Sequence, residues 1–392
     1  MNNGGAEKSL ISVLERLDTR EYQVDLFAIE PTGFISEMIP EYVNIIYPSD
    51  KLMTFRLPLK KAIVKFLSRL DFLSIYNRIM YSRELRKYDN PNKAEQYAFR
   101  YFRNFFKDIF SDYDVAVSYV EKTTNYIVSE LISAKVKIGY LHSDYEQMAL
   151  DSKEELRLTR NLHYIVTVSE NCARMLKEGL PELSDKVRVI ENIIDKNQLI
   201  ESAKKENPFN DEFSGIRVVT VGRISAEKGP DMAIEACKIL MAKGYDLKWH
   251  WIGAPEDESF VYLAKEKQLV EKFIFEGVDI NPHKFIYNAD LYVQPSRFEG
   301  KCIAIEEAKA LGIPVVSTGF TNAPTQIENK ITGIISQDIS SQSLAEAIEI
   351  LINDKQLYAN IRQNLLNYVS NENEIKKFES LIDKEDDFSE AD

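Results

Sequence analysis

Short, unbroken apolar runs alternate with helix-like stretches along nearly the whole chain, and they do so in two series. The first series is VDLFAI (24–29), YVNIIY (42–47), DVAVSYV (114–120), VKIGYLH (136–142), YIVTVS (164–169) and VRVIEN (187–192). The second is IRVVTVG (216–222), LKWHWIG (247–253), KFIFEG (272–277), ADLYVQP (289–295) and IPVVST (313–318). Continuous rather than alternating apolar runs predict strands covered on both faces, hence parallel sheets with helices on either side. Two series predict two doubly wound α/β domains in tandem, with ligands at the carboxyl ends of the strands near the cleft between them. The predicted boundaries are 1–195 for the first domain, 196–215 for a polar linker broken by Pro208 and Gly215, and 216–354 for the second domain. Residues 355–392 read as helices packing back toward the first domain, followed by an acidic tail.

Length agrees with that division, because 392 residues exceed what one ordinary core holds, and domains of about 150 to 200 residues are the rule. With 44% apolar and 28% charged residues there is material for two cores, and no low-complexity tract or internal repeat interrupts them. The three cysteines, Cys172, Cys237 and Cys302, are far apart and odd in number, which predicts free thiols in a reducing compartment. No apolar run approaches the roughly 18 to 20 residues of a membrane-spanning helix, and no signal peptide opens the chain, so the cytoplasm is the expected location. A net charge of −13 disfavours nucleic acid as a partner. Residues 51–88 stand apart with ten Lys or Arg against two acids.

Two βα junctions carry the chemistry. In VGRISAEKGPDMAIEA (221–236) a strand ends at Gly222, Pro230 opens a helix, and Arg223 and Lys228 flank the turn. Two cations beside a helix start form a cradle for a diphosphate, although two ordinary surface cations on a solvated loop fit the spacing equally well. In SRFEGKCIAIEEAKALGIPVVS (296–317), Glu299 lies in the loop and Glu307 about one turn into the following helix. Gly300 allows a tight turn, and the amides of Lys301, Cys302 and Ile303 are the expected unpaired donors of the helix start. A phosphate over that helix start would place polyol groups where carboxylates accept their hydroxyls, one glutamate taking a ribose and the other a sugar. Acids near helix starts also occur simply because they favour the helix dipole.

Taken together the two junctions are more specific. A strand followed by GRISAEKG, then GVDINP (277–282), then ADLYVQPSRFEGKCIAIEEAKALGIPVVST resembles the retaining glycosyltransferases of family 4, or group 1 glycosyltransferases. The resemblance implies the GT-B fold, two tandem Rossmann-like domains facing across a cleft. It implies that Arg223 and Lys228 hold the diphosphate of a nucleotide-sugar donor, that Glu307 binds the ribose, that Glu299 faces the donor sugar, and that the base lies near Gly277 and Val278. UDP-sugar is the expected donor, with GDP-sugar as the alternative, and no metal or other cofactor is expected.

In the first domain, NNGGAEKSL (2–10) looks like the family's glycine loop, with Gly4 and Gly5 letting the backbone approach phosphate and acceptor. YLHSDYEQM (140–148) places His142 where the family has a histidine beside the donor sugar; outside the family it reads as a structural residue. The DYD at 112–114 precedes its strand, whereas an ion-binding D-x-D needs the carboxyl end. Cys302 stands where the family commonly has a small glycine. The family's first strand precedes the glycine loop, so Met1 is expected to be an internal methionine of a longer natural chain.

From Pro58, Ile63, Phe66, Leu67 and Leu70 fall on one helical face, and Lys61, Lys65 and Arg69 on the opposite one. Such a helix either lies in an anionic membrane interface or packs its apolar face into a core. The resemblance to transferases that act on lipid-linked acceptors favours the interface. The expected function is transfer of a sugar to a lipid-linked glycan in surface polysaccharide assembly, at the inner face of the plasma membrane. A soluble transferase with a small acceptor, or a nucleotide-sugar-binding protein without turnover, are the alternatives.

Overall fold

The computed structural model describes residues 5–29, 38–106 and 109–383. Its contacts divide these into two units, residues 9–191 with 373–383, and residues 5–8 with 192–372. Gly4 and Met1 lie outside the described residues. Gly5 opens helix α1 (Gly5–Leu14), where a loop was expected.

In the first unit, β1 (Asp25–Phe27) pairs in parallel with β2 (Asn44–Ile46). A second parallel sheet runs in the order β3 (Asp112–Ser118), β4 (Ser133–Leu141), β5 (Tyr164–Thr167) and β6 (Val187–Val189). All four coincide with predicted runs, and the DYD opens β3, where Asp114 pairs with Lys135 at 2.8 Å. Between β2 and β3 the described residues form four α-helices, α2 (Asp50–Arg56), α3 (Leu59–Leu67), α4 (Phe72–Glu84) and α5 (Pro91–Phe102). They enclose an aromatic core in which Phe55 stacks on Phe102 with centroids 5.2 Å apart and Phe66 and Phe99 are buried. The face predicted for α3 is therefore divided. Ala62 and Phe66 enter this core, while Leu67 and Leu70 remain 51% and 73% exposed. For Leu70 the cause lies in the backbone: α3 ends at Leu67, and Leu70 leaves the helical path with φ of 54°.

The second unit holds one six-stranded parallel sheet, in the order β12-β11-β10-β7-β8-β9. Its members are β7 (Ile216–Val221), β8 (Leu247–Ile252), β9 (Phe273–Gly277), β10 (Leu291–Gln294), β11 (Val315–Ser317) and β12 (Gly333–Ile335). Order reverses at β7, which lies between β8 and β10, so the loops after β7 and β10 leave adjacent strand ends. That is the switch point at which doubly wound sheets bind ligands. Trp249, Trp251 and Phe273 fill the core on one face, and Tyr292, Ile305 and Phe320 fill it on the other. Both indoles are satisfied: Trp249 Nε1 donates to Thr220 Oγ1 at 3.0 Å and Trp251 Nε1 to the Gly222 carbonyl at 2.8 Å.

Two predicted boundaries change. The interval 196–215, expected as a linker, opens with helix α6 (Lys196–Lys204), capped by Asp195 and with Ala203 buried in the second unit's core. Leu199, Ile200 and Ala203 give it one apolar face, enough to dock a helix of this length. Of the helices after 354, Lys355–Leu366 belongs to the second unit through Ile361 and Leu365, and Glu374–Ile382 to the first.

Candidate active site

The loop after β7 turns through Ala226–Lys228 into Gly229, which caps helix α7 (Pro230–Ala242) with φ of 69°. Gly229 is required twice over: its backbone is left-handed, and a Cβ there would sit 2.0 Å from the Pro295 carbonyl oxygen. This close approach draws the loop after β7 onto the loop after β10. Arg297 adds a clasp, its amide donating to the Glu227 carbonyl at 2.8 Å and its guanidinium to Asp231 at 2.6 Å.

At that junction Lys228 Nζ donates to both carboxylate oxygens of Glu299, at 2.7 and 2.8 Å. Glu299 Oε1 also accepts from Ser296 Oγ at 2.6 Å and from Gln294 Nε2 at 3.2 Å, so the carboxylate is held from three directions. Burial works against the Lys228 charge, but the neighbouring Glu299 outweighs it and the ammonium pKa is raised. Arg223, by contrast, is 42% exposed and bonded to Glu227 at 2.7 Å and to Glu256.

Helix α8 (His283–Tyr287) follows the GVDINP segment, and helix α9 (Ile303–Ala310) starts after Cys302, whose thiol makes no strong capping hydrogen bond. The expectation that the amides of Lys301 to Ile303 are all open is corrected at Cys302, whose amide donates to Gln326 Oε1 at 2.8 Å. Gln326 Nε2 returns to the Cys302 carbonyl at 2.9 Å, and Asn322 Nδ2 donates to the carbonyls of Glu299 and Gly300 at 2.7 and 3.0 Å. Cys302 is buried, which pushes its thiol pKa up to about 12 and leaves it a neutral packing group beside Lys228. Gly5 comes close to this helix start, an added Cβ lying 3.2 Å from Ile303 Cδ1.

One turn into α9, Glu307 is buried and accepts from His283 Nε2 at 3.0 Å. Burial alone would raise its pKa, yet the charges of His283 and Lys8 and the His283 hydrogen bond hold it down at about 2. An ionised carboxylate is thus kept in a nearly dry position. Burial first, and then the nearby charges of Glu299 and Glu307, keep the Tyr292 hydroxyl protonated. Gly277 ends β9 with φ of 78°, and it and Val278 are half-buried, with open space where a Gly277 Cβ would be. Sequence reasoning missed His283, Asn322, Gln326 and Arg297. His283 directly follows the singled-out GVDINP segment, and Pro324 marks the short helix Ala323–Gln326, so both left a local trace.

His142 belongs to the first unit. It follows β4, its ring stacks on Tyr140 at 5.5 Å, and Nε2 lies 2.9 Å from the Tyr119 carbonyl oxygen, which can only accept. Nε2 therefore carries the proton. Burial lowers its pKa, so the ring is neutral with Nδ1 as its acceptor atom.

Residues 200–367 match the family model described as glycosyl transferases group 1. Among curated relatives, the capsular polysaccharide biosynthesis glycosyltransferase CapM of Staphylococcus aureus is 33% identical over 195 residues, 48% of each chain. The chain spans about half the length of the curated relatives it matches. Two solved structures share its fold across both units. HepE of Anabaena, in complex with UDP-glucose, is 18% identical with a TM-score of 0.65, over 93% of this chain and 90% of that one. WaaG, a glycosyltransferase involved in lipopolysaccharide biosynthesis, is 13% identical with a TM-score of 0.67, over 98% and 97%. At these identities the likeness is one of fold, and that fold is GT-B, two Rossmann-like domains in tandem.

Proposed function

We propose that the chain is a retaining glycosyltransferase that moves a sugar from a nucleotide diphosphate donor to a lipid-linked glycan in surface polysaccharide assembly. The observation that carries this reading is the convergence, at adjacent strand ends, of the Lys228–Glu299 pair with the start of a helix that bears the ionised Glu307. The matched family and the capsular relative support the reaction class, and the UDP-glucose complex of HepE supports a UDP-sugar as donor.

In this proposal the diphosphate lies over the start of α9, bonded by Lys228 and Arg223, and the base lies against Gly277 and Val278. Glu307 accepts from the ribose and Glu299 from sugar hydroxyls, while Gly5 gives the phosphate room. The bond from the anomeric carbon to the diphosphate breaks, and Lys228, Arg223 and the positive end of the α9 dipole stabilise the charge that gathers on the leaving oxygens. The acceptor oxygen bonds to the anomeric carbon on the same face, and its proton passes to a donor phosphate oxygen. His142 accepts a hydroxyl of the donor sugar at Nδ1. No metal takes part.

Among the described residues no helix is long and apolar enough to cross a membrane. We assign the acceptor side to an anionic membrane surface reached through residues 51–88, at the inner face of the plasma membrane. Thermal-shift screening against UDP-, GDP-, ADP- and CMP-sugars tests the donor, since a ligand bound at 100 times its Kd adds about 2.7 kcal/mol of apparent stability. NMR of the product's anomeric proton then tests retention. Stabilisation by none of the four, or an inverted product, contradicts the proposal.

A further inference from the structure

The helical hairpin of α3 and α4 turns outward a set of apolar side chains that no described element covers. Val64, Leu67, Leu70, Phe72, Leu73 and Tyr76 are 51% to 73% exposed, and they occupy consecutive turns on either side of the α3–α4 connection. Single exposed apolar residues are ordinary, but six around one turn form a patch, and patches of that kind mark interaction surfaces.

The connection itself shows a cost accepted for something other than folding. Leu70 adopts the left-handed conformation at the end of α3, with the Asp71 amide closing back on the Phe66 carbonyl at 3.0 Å. Glycine or asparagine is the usual residue in that position, because any Cβ is strained there. Leucine buys no packing in exchange, being the most exposed of the six.

The charges are arranged differently from the sequence expectation. Lys65 and Arg69, which were to face anionic lipid, both bond Asp50, Lys65 at 3.0 Å, and Lys51 bonds Asp71 at 3.1 Å. Lys60, Lys61, Arg83 and Arg86 are exposed and have no carboxylate partner among the described residues. Lys60 and Lys61 open α3 and Arg83 closes α4, so these cations stand at the end of the hairpin away from the turn. An apolar turn backed by unpaired Lys and Arg fits the depth profile of a bilayer surface, acyl chains below and anionic headgroups above. A protein partner fits less well, since lysine is depleted at protein interfaces.

We infer that the α3–α4 turn, through Leu67, Leu70, Phe72 and Leu73, is an apolar anchor that inserts into an anionic bilayer, with Lys60, Lys61, Arg83 and Arg86 contacting the headgroups. This rests on the membrane-facing reading above and deepens it by naming the inserting element. It adds to the attachment an apolar part that salt does not screen.

Co-sedimentation of the full chain with phosphatidylcholine vesicles, with and without phosphatidylglycerol, tests it at low and high salt. The wild-type chain is expected to prefer the anionic vesicles and to retain measurable binding at high salt. Leu70→Gly relieves the left-handed strain, so its thermal midpoint stays equal or rises while vesicle affinity falls. L70G/F72S/L73S lowers partitioning by roughly tenfold for each side chain withheld, in both salts, with donor-induced thermal shift unchanged. Equal partitioning of wild type and triple variant overturns the anchor while leaving the membrane reading in place. No binding of the wild-type chain to either vesicle overturns both. A wild-type dimer that the triple variant abolishes, without vesicle binding, assigns the patch to a second copy and likewise overturns the proposal.

Discussion

Lys228 Nζ lies 2.7 Å from one oxygen of Glu299 and 2.8 Å from the other, and the pair joins loops that leave the neighbouring strands β7 and β10. The side chains are only 18% and 10% exposed, so neither charge is well hydrated without the other. Removing one partner of such a pair strands the second charge and costs about 3 kcal/mol, whereas removing both costs much less. Lys228→Met should therefore lower the denaturation midpoint more than K228M/E299Q does. A double-mutant cycle with additive losses would contradict the coupling.

Gly229 supplies a second prediction. Alanine there combines a left-handed backbone at φ 69° with a Cβ 2.0 Å from a carbonyl oxygen. The strain and the clash together should cost upwards of about 3 kcal/mol. If the loops part to relieve it, the donor-induced thermal shift falls as well. Urea unfolding of Gly229→Ala with an unchanged midpoint would refute the close approach.

Glu307 is held ionised, its pKa about 2 against an ordinary 4.5. A carboxylate depressed in the folded state adds stability above the unfolded pKa and loses it as pH falls toward the folded one. The contribution, on the order of 3 kcal/mol at neutral pH, should fade between pH 4.5 and 2. Glu307→Gln thus destabilises at pH 7 and converges on wild type in acid. Parallel stability curves would contradict the assignment. His283→Asn, which loses the 3.0 Å bond to Glu307, should weaken UDP about tenfold and 2′-deoxy-UDP less.

Glu155 in the first unit behaves oppositely. Buried beneath Tyr126 and Gln96, which donate to it at 2.6 and 2.8 Å, it titrates at about 7 because burial opposes its charge. A raised carboxyl pKa makes the folded state lose stability as pH climbs from the unfolded value to the folded one. Glu155→Gln should raise the thermal midpoint at pH 8 and change it little at pH 5. An equal change at both values would sink this reading.

The strands were legible in the sequence because buried parallel strands are written as continuous apolar runs, and β1 to β11 all lie where such runs stand. β12 was not, since Gly333–Ile335 is too short to stand out from its surroundings. Helix α6 hid in a polar interval because Leu199, Ile200 and Ala203 are its whole apolar face. At the site, the loop cations and glutamates carry a local signature of strand end, turn and helix start. Their partners do not. His283 and Glu307 are 24 residues apart, as are Cys302 and Gln326, and only the folded sheet makes them neighbours. On α3 the helical period is written in the sequence, but which side is covered is not: Ala62 and Phe66 enter the core while Val64 and Leu67 stay exposed.

The central claim is that a nucleotide diphosphate binds where Lys228 and the start of α9 meet Glu307. Calorimetric titration of UDP into wild type, Lys228→Ala and Glu307→Ala tests it most directly. The account predicts binding by the wild-type chain and a loss of at least about tenfold in each variant, equivalent to about 1.4 kcal/mol. UDP binding with the same affinity in all three would contradict it.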